Sequence, residues 1–285
     1  MSFIQLIILA IIQGLAELLP VSSSAHVVVA EKLMGLDPSA PEMTLILVML
    51  HTGTMLAVIL YFWNDWRKTY FESAAALKSF LWHLILATAL TGIIGEAIIK
   101  LIEKTLFRNV PHAEVEDLFS HLELIAPALA CAGVLIIVAG LRRKHEDPND
   151  VHATKRLTTA QAGLIGIVQG FCLPFRGFSR SGATISTGML AGVSKFRAET
   201  FSFALAVVLT PIVVGREVLR LFHAQAGGVA AGVGFSLVGA VFAFLAGLLA
   251  LRWLSRWLES GRWHYFGIYC LIAAIAVFVL HRMGY

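Results

Sequence analysis

Glu17 and Arg180 are charged residues inside long apolar stretches, and each stands where its stretch is interrupted by Pro, Ser and Gly. A charge within such a segment costs about 2.5–3.5 kcal/mol on insertion scales, so each needs a partner or a task. Beside Glu17 the break Pro20-Val-Ser-Ser-Ser24 brings Ser22, Ser23 and Ser24, with His26 just after it. Gln13 lies one helical turn before Glu17 and shares its face. Beside Arg180 the break from Pro174 to Gly182 brings Ser179 and Ser181, and Thr184 follows. A buried ion pair that merely locks two segments together explains the two charges. It leaves the imidazole and the hydroxyl cluster at broken backbone without a reason.

The two breaks suggest different chemistry. At the second, Gly177 permits a tight turn and Ser-Arg-Ser-Gly leads into a helix through Thr184. Free N–H groups at a helix N-terminus bind anions, and hydroxyls at the cap add donors. Arg180 can grip phosphate oxygens with two parallel hydrogen bonds, and Gly182 lets backbone approach a ligand closely. This pattern predicts a phosphate cradle. At the first break, Glu17 can bind a divalent cation or act as a base. His26 can carry protons, and Ser23 can be a nucleophile activated by either neighbour.

The elements that must hold these groups are membrane helices. Of 285 residues, 58% are hydrophobic and 14% charged, and mean hydropathy is +0.80. Those values exclude disordered, collagenous and ordinary soluble chains. The expected fold class is an all-α polytopic membrane protein, one integral domain over 1–285. Six segments can cross a bilayer: about 42–64, 79–102, 121–141, 198–221, 230–252 and 264–282. Regions 3–35 and 157–194, each broken in the middle, read as re-entrant helix pairs. Such backbone is tolerated at membrane depth only when buried in protein or facing a wet cavity. The net charge of +4 reflects loop Lys and Arg rather than nucleic-acid binding, since no basic run is interleaved with aromatics. Cys131, Cys172 and Cys270 are isolated in apolar segments and read as packing residues.

The broken regions resemble each other. Ile11-Ile-Gln-Gly14 matches Ile167-Val-Gln-Gly170, and the same offset of 156 places Ser23 opposite Ser179. Repeat 1 covers about 3–64 and repeat 2 about 157–221, with an odd number of crossings between the breaks. That arrangement predicts an inverted-topology repeat whose two tips meet near the midplane. Lys and Arg number 13 on one face and 7 on the other. The positive-inside rule makes the first face cytoplasmic and puts both termini and loop 103–120 outside.

Gln13-Gly-Leu-Ala-Glu17-Leu-Leu-Pro-Val-Ser-Ser-Ser-Ala-His26 resembles the first signature of the undecaprenyl-diphosphate phosphatase (bacitracin-resistance) family. Gly177-Phe-Ser-Arg-Ser-Gly-Ala-Thr184 resembles the second, and length and hydropathy layout agree along the whole chain. The resemblance implies hydrolysis of undecaprenyl diphosphate to the monophosphate, assisted by Mg²⁺ or Ca²⁺, which recycles the lipid carrier for peptidoglycan. It further implies a multi-pass protein of the bacterial cytoplasmic (inner) membrane, with its site facing outward to the periplasm. Expected catalytic residues are Glu17, Ser23, His26 and Arg180, and Glu17 is the expected metal ligand. Expected substrate-binding residues are Gln13, Ser22, Ser179, Ser181 and Thr184. Expected partners are the polyprenyl diphosphate lipid and the bilayer, with a homodimer admitted and nucleic acid excluded.

Three positions depart from the family pattern. Gln13 stands where many members carry a second Glu, Ala25 where Gly is usual before the His, and Arg176 where Pro is usual. The rival reading is a transporter or flippase of a phosphorylated polyprenyl lipid or anion, because inverted repeats with broken helices are a recurring transporter design. His51 and His83 read as packing residues, and Glu96 with Lys100 as a helix ion pair. Trp63, Trp66, Trp253, Trp257 and Trp263 flank spans as aromatic belts do.

Overall fold

A computed structural model describes residues 1–37, 41–106, 121–142, 157–223 and 229–284. Residues 107–120, most of the loop expected outside, and residues 143–156 lie outside the described residues. Ten α-helices occur among the described residues, with no strand. They are α1 Phe3–Leu18, α2 Ser23–Leu33, α3 Pro41–Tyr70, α4 Ala74–Leu106 and α5 Leu122–Arg142 in the first half. The second half holds α6 Thr159–Cys172, α7 Arg180–Leu190, α8 Lys195–His223, α9 Val229–Glu259 and α10 Trp263–Arg282.

Among the described residues five helices are long and apolar enough to cross a membrane, through the segments Leu45–Tyr70, Ala74–Thr105, Leu122–Arg142, Gly234–Glu259 and Trp263–Arg282. The sixth expected crossing, 198–221, lies in α8, one continuous helix despite Pro211, but α8 is not among those five. The protein is a polytopic all-α membrane protein. By contrast α2 and α7 have 11 residues each, roughly 17 Å at 1.5 Å per residue, about half of a hydrocarbon core.

The two broken regions are built by the same local rules. Ser2 caps α1 in a capping box with Gln5, and Thr158 caps α6 with Gln161; each box satisfies two otherwise orphaned backbone groups. Pro20 and Pro174 then deny the chain a helical N–H, so α1 and α6 stop just before them. Both short helices begin after a serine with positive φ, Ser22 at 68° and Ser179 at 40°. Both end in a Schellman motif on a left-handed glycine, Gly35 or Gly192, with Leu36 N–H reaching Glu31 O at 2.9 Å and Val193 N–H reaching Gly188 O at 2.9 Å. The Gln of each capping box also returns to the end of the short helix: Gln5 Nε2 donates to Met34 O at 3.2 Å and Gln161 Nε2 to Ala191 O at 2.9 Å.

These correspondences correct the register read from sequence. Ser2 and Thr158 are 156 apart, whereas Ser22 and Ser179 are 157 apart. The second break holds one extra residue, so Ser179 corresponds to Ser22, and Ser23 corresponds to Arg180.

Packing exchanges partners between the halves. α1 lies on α9 and α6 on α4, while α5 lies on α10. Small residues allow these approaches: a Cβ added at Gly14 would meet Ala243 O at 2.6 Å, and one at Gly170 would meet Thr91 O at 2.9 Å. Trp66 and Trp263 are core residues rather than belt residues, 7% and 1% exposed. Their indole N–H groups find partners inside, Thr200 O at 3.1 Å and Ser186 Oγ at 3.0 Å, which lets a large ring be buried. Trp63 and Trp253 do face outward. Lys100 pairs with Glu96 at 3.3 Å on α4.

Candidate active site

The tips of the two broken regions meet, and Glu17 is the hub. Ser23 Oγ donates to Glu17 Oε2 at 2.5 Å, and Arg180 Nη2 donates to Oε1 at 2.9 Å. Gln13 Nε2 donates to Oε2 at 3.2 Å from one turn earlier. Two backbone ties fasten the tips beside this cluster: Ser181 Oγ donates to Leu19 O at 3.3 Å, and Gly177 N–H to Ser24 Oγ at 3.4 Å. Ser22 and Ser24 hydroxyls lie 3.2 Å apart.

Both short helices point their N-termini at this junction. Ser179 Oγ accepts the Gly182 N–H at 3.2 Å, whereas Ser22 makes no side-chain cap. The positive φ of two non-glycine residues at matching places marks a held, strained backbone of the kind found around functional sites. Thr184 Oγ1 is wholly buried, donates to Arg180 O at 2.8 Å and lies 2.6 Å from Ser202 Oγ. Arg180 itself is divided in its contacts. Nη2 holds Glu17, while Nη1 is buried with no hydrogen-bond partner.

His26 lies on α2 one turn beyond Ser23, with Nδ1 2.7 Å from Ser22 O and Nε2 2.7 Å from Tyr269 Oη. The structure therefore joins Gln13, Glu17, Ser23 and Arg180 directly, adds Ser22, Ser179 and Ser181 at the tips, and sets Thr184 and His26 one turn behind. His51 was read as packing, but its Nδ1 lies 2.9 Å from Gln13 Nε2 and 3.6 Å from Glu17 Oε2. A titratable ring in an apolar span is the signal that finds such a residue; no spacing in the sequence links position 51 to 17. His83 does pack, 3.4 Å from Thr159 Oγ1 between α4 and α6. Tyr269 and Ser202 carried no signal in the sequence.

The family model for the bacitracin resistance protein BacA matches residues 6–276. The chain belongs to the BacA family. This BacA-family chain is 55% identical over 287 residues to undecaprenyl-diphosphatase 2 of Acinetobacter baylyi, covering 98% of each. It is 36% identical over 301 residues to undecaprenyl-diphosphatase 2 of Burkholderia ambifaria, covering 99% of each. With undecaprenyl-diphosphatase 1 of Burkholderia pseudomallei it shares 35% identity over 292 residues, 96% of this chain and 95% of the relative.

Proposed function

We propose that this BacA-family protein hydrolyses undecaprenyl diphosphate to undecaprenyl phosphate and inorganic phosphate, recycling the carrier for peptidoglycan synthesis and so conferring bacitracin resistance. The observation that carries the reading is Arg180, whose Nη1 is buried without a partner beside the Glu17–Ser23 pair. A buried unpaired donor costs about 1–3 kcal/mol, and a phosphoryl oxygen is a partner of the right charge. The names of the relatives support the substrate; none of those named above supports a transporter.

In the proposed reaction the terminal phosphate lies between the N-termini of α2 and α7. Ser23 Oγ attacks phosphorus as the bridging P–O bond breaks, and its proton passes to Glu17. Undecaprenyl phosphate leaves, and water then cleaves the phosphoserine to release inorganic phosphate. Arg180 and the helix N–H groups meet the charge that grows on the phosphoryl oxygens, the usual source of most catalytic stabilisation in such transfers. Ser179, Ser181 and Thr184 hold the turn that aims Arg180. Ser22 and Gln13 hold Ser23 and Glu17 in place, and His26 carries protons.

The family resemblance implies Mg²⁺ or Ca²⁺. Among the described residues no three His, Cys, Asp or Glu are grouped to hold a metal. A single carboxylate suits an ion carried chiefly by the substrate, since Mg²⁺ is commonly held by one or two carboxylates plus phosphates. Glu17 would hold the ion on the protein side, and the ion would offset the diphosphate charge. The site is proposed to face outward from the bacterial cytoplasmic membrane, supported by the Lys and Arg distribution. The matched caps support the halves as copies, and the odd number of crossings between the breaks supports their inversion.

Purified protein in detergent is expected to release inorganic phosphate from undecaprenyl diphosphate with Mg²⁺ or Ca²⁺ and to stop in EDTA. No release from folded protein overturns the phosphatase reading. Undiminished release in EDTA overturns the metal alone.

A further inference from the structure

Both ring nitrogens of His26 are already engaged. Nδ1 lies 2.7 Å from Ser22 O, and a carbonyl only accepts, so Nδ1 carries the hydrogen. In the neutral ring Nε2 then holds the lone pair. It lies 2.7 Å from Tyr269 Oη, so the phenol donates. The two rings also stack, with centroids 5.6 Å apart and planes 12° from parallel. The next residue on α10 fixes the register of this contact: Cys270 Sγ donates to Pro20 O at 3.4 Å, at the first break itself.

Tyr269 stands at an edge between two environments. It is 45% exposed and shares an exposed face of α10 with Tyr265, Ile268 and Ile272, in a helix apolar and long enough to span a membrane. Its hydroxyl thus points at the polar junction while its helix face meets lipid. An aromatic ring with a polar tip suits that boundary.

We propose that Tyr269 is a positioning residue for His26: its hydroxyl holds Nε2 as the proton-accepting nitrogen beside the exposed face of α10, the side from which the diphosphate head reaches the site from the bilayer. The inference rests on the phosphatase reading. When the head arrives, the Tyr269 O–H turns away from Nε2, and Nε2 is released to accept a proton. The polyprenyl tail stays against the exposed face of α10.

Tyr269→Phe keeps the stacked ring and removes only the hydroxyl. We expect kcat to fall about tenfold, as loss of one hydrogen bond of about 1.4 kcal/mol does, with KM and thermal stability unchanged. His26→Gln is expected to lose more, and adding Tyr269→Phe to it is expected to cost nothing further, because the two act as one unit. In ¹⁵N-histidine-labelled protein the His26 Nε2 resonance is expected to leave its hydrogen-bonded position in Tyr269→Phe. Full kcat in Tyr269→Phe, or the same tenfold loss in the His26→Gln background, overturns the proposal. Wild type that releases no phosphate sinks the phosphatase reading instead, and an unmoved Nε2 resonance then still refutes the part played by Tyr269.

Discussion

Each oxygen of the Glu17 carboxylate has its own donor, Arg180 on Oε1 and Ser23 on Oε2. The carboxylate therefore orients both the proposed nucleophile, Ser23, and the guanidinium proposed to bind phosphate. An ammonium cannot span both tasks, because the fork of Arg presents several donors in one plane while Lys offers a point charge. Arg180→Lys is accordingly expected to lower kcat by about 10²-fold or more, on the scale of losing an oxyanion donor, while the protein still purifies folded; steady-state phosphate release checks it. At this scale the sequence was informative where a residue type is costly in its setting. Glu17 and Arg180 were conspicuous because apolar segments do not carry charges idly. His51 was passed over since neutral imidazole is tolerated in a span, and its approach to Gln13 depends on how α3 packs on α1. Gln13 is the natural partner for that ring: its amide donates to His51 Nδ1 at 2.9 Å and to Glu17 at 3.2 Å, a pair of contacts that a second Glu could not make as a carboxylate.

Among the elements, the two 11-residue helices matter most, since their N-termini and their positive-φ serines form the meeting point. Thr184 secures the second of them by bonding Arg180 O and facing Ser202 on α8. Thr184→Val keeps the shape but strands Arg180 O without its donor and Ser202 Oγ without its acceptor. It is expected to cost about 1–3 kcal/mol of stability and to lower kcat with little change in KM, read by thermal unfolding beside kinetics. The breaks themselves were legible, because Pro ends a helix for a local reason. The register between the copies was not. Matching Ser23 with Ser179 was a one-residue error, and only the backbone angles and the paired Schellman motifs place the extra residue inside the second break. Trp66 and Trp263 misled for a related cause: a Trp near a span end looks the same in sequence whether it meets a headgroup or donates inward to Thr200 or Ser186.

Across the whole molecule, the exchange of helices between halves, α1 onto α9 and α6 onto α4, holds the tips together. The hydropathy pattern and the broken segments made the number and kind of helices legible, while partner choice depended on close approaches such as Gly14 on Ala243 that no periodicity announces. The proposed orientation has a direct check in a variant lacking Cys131, Cys172 and Cys270. A single Cys introduced within 107–120 is expected to react with impermeant maleimide in intact cells, and one within 143–156 only after permeabilisation; the reverse pattern inverts the orientation. The central claim is that one active site is built jointly by the two breaks. Its most direct test is kcat for phosphate release from undecaprenyl diphosphate by Glu17→Gln, Arg180→Gln and the double variant, side by side with wild type. Each single change is expected to lose about 10²–10⁴-fold, and the double no more than the worse single, as for residues acting as one unit. Near-wild-type turnover in either single variant, or losses that multiply in the double, would contradict a shared site.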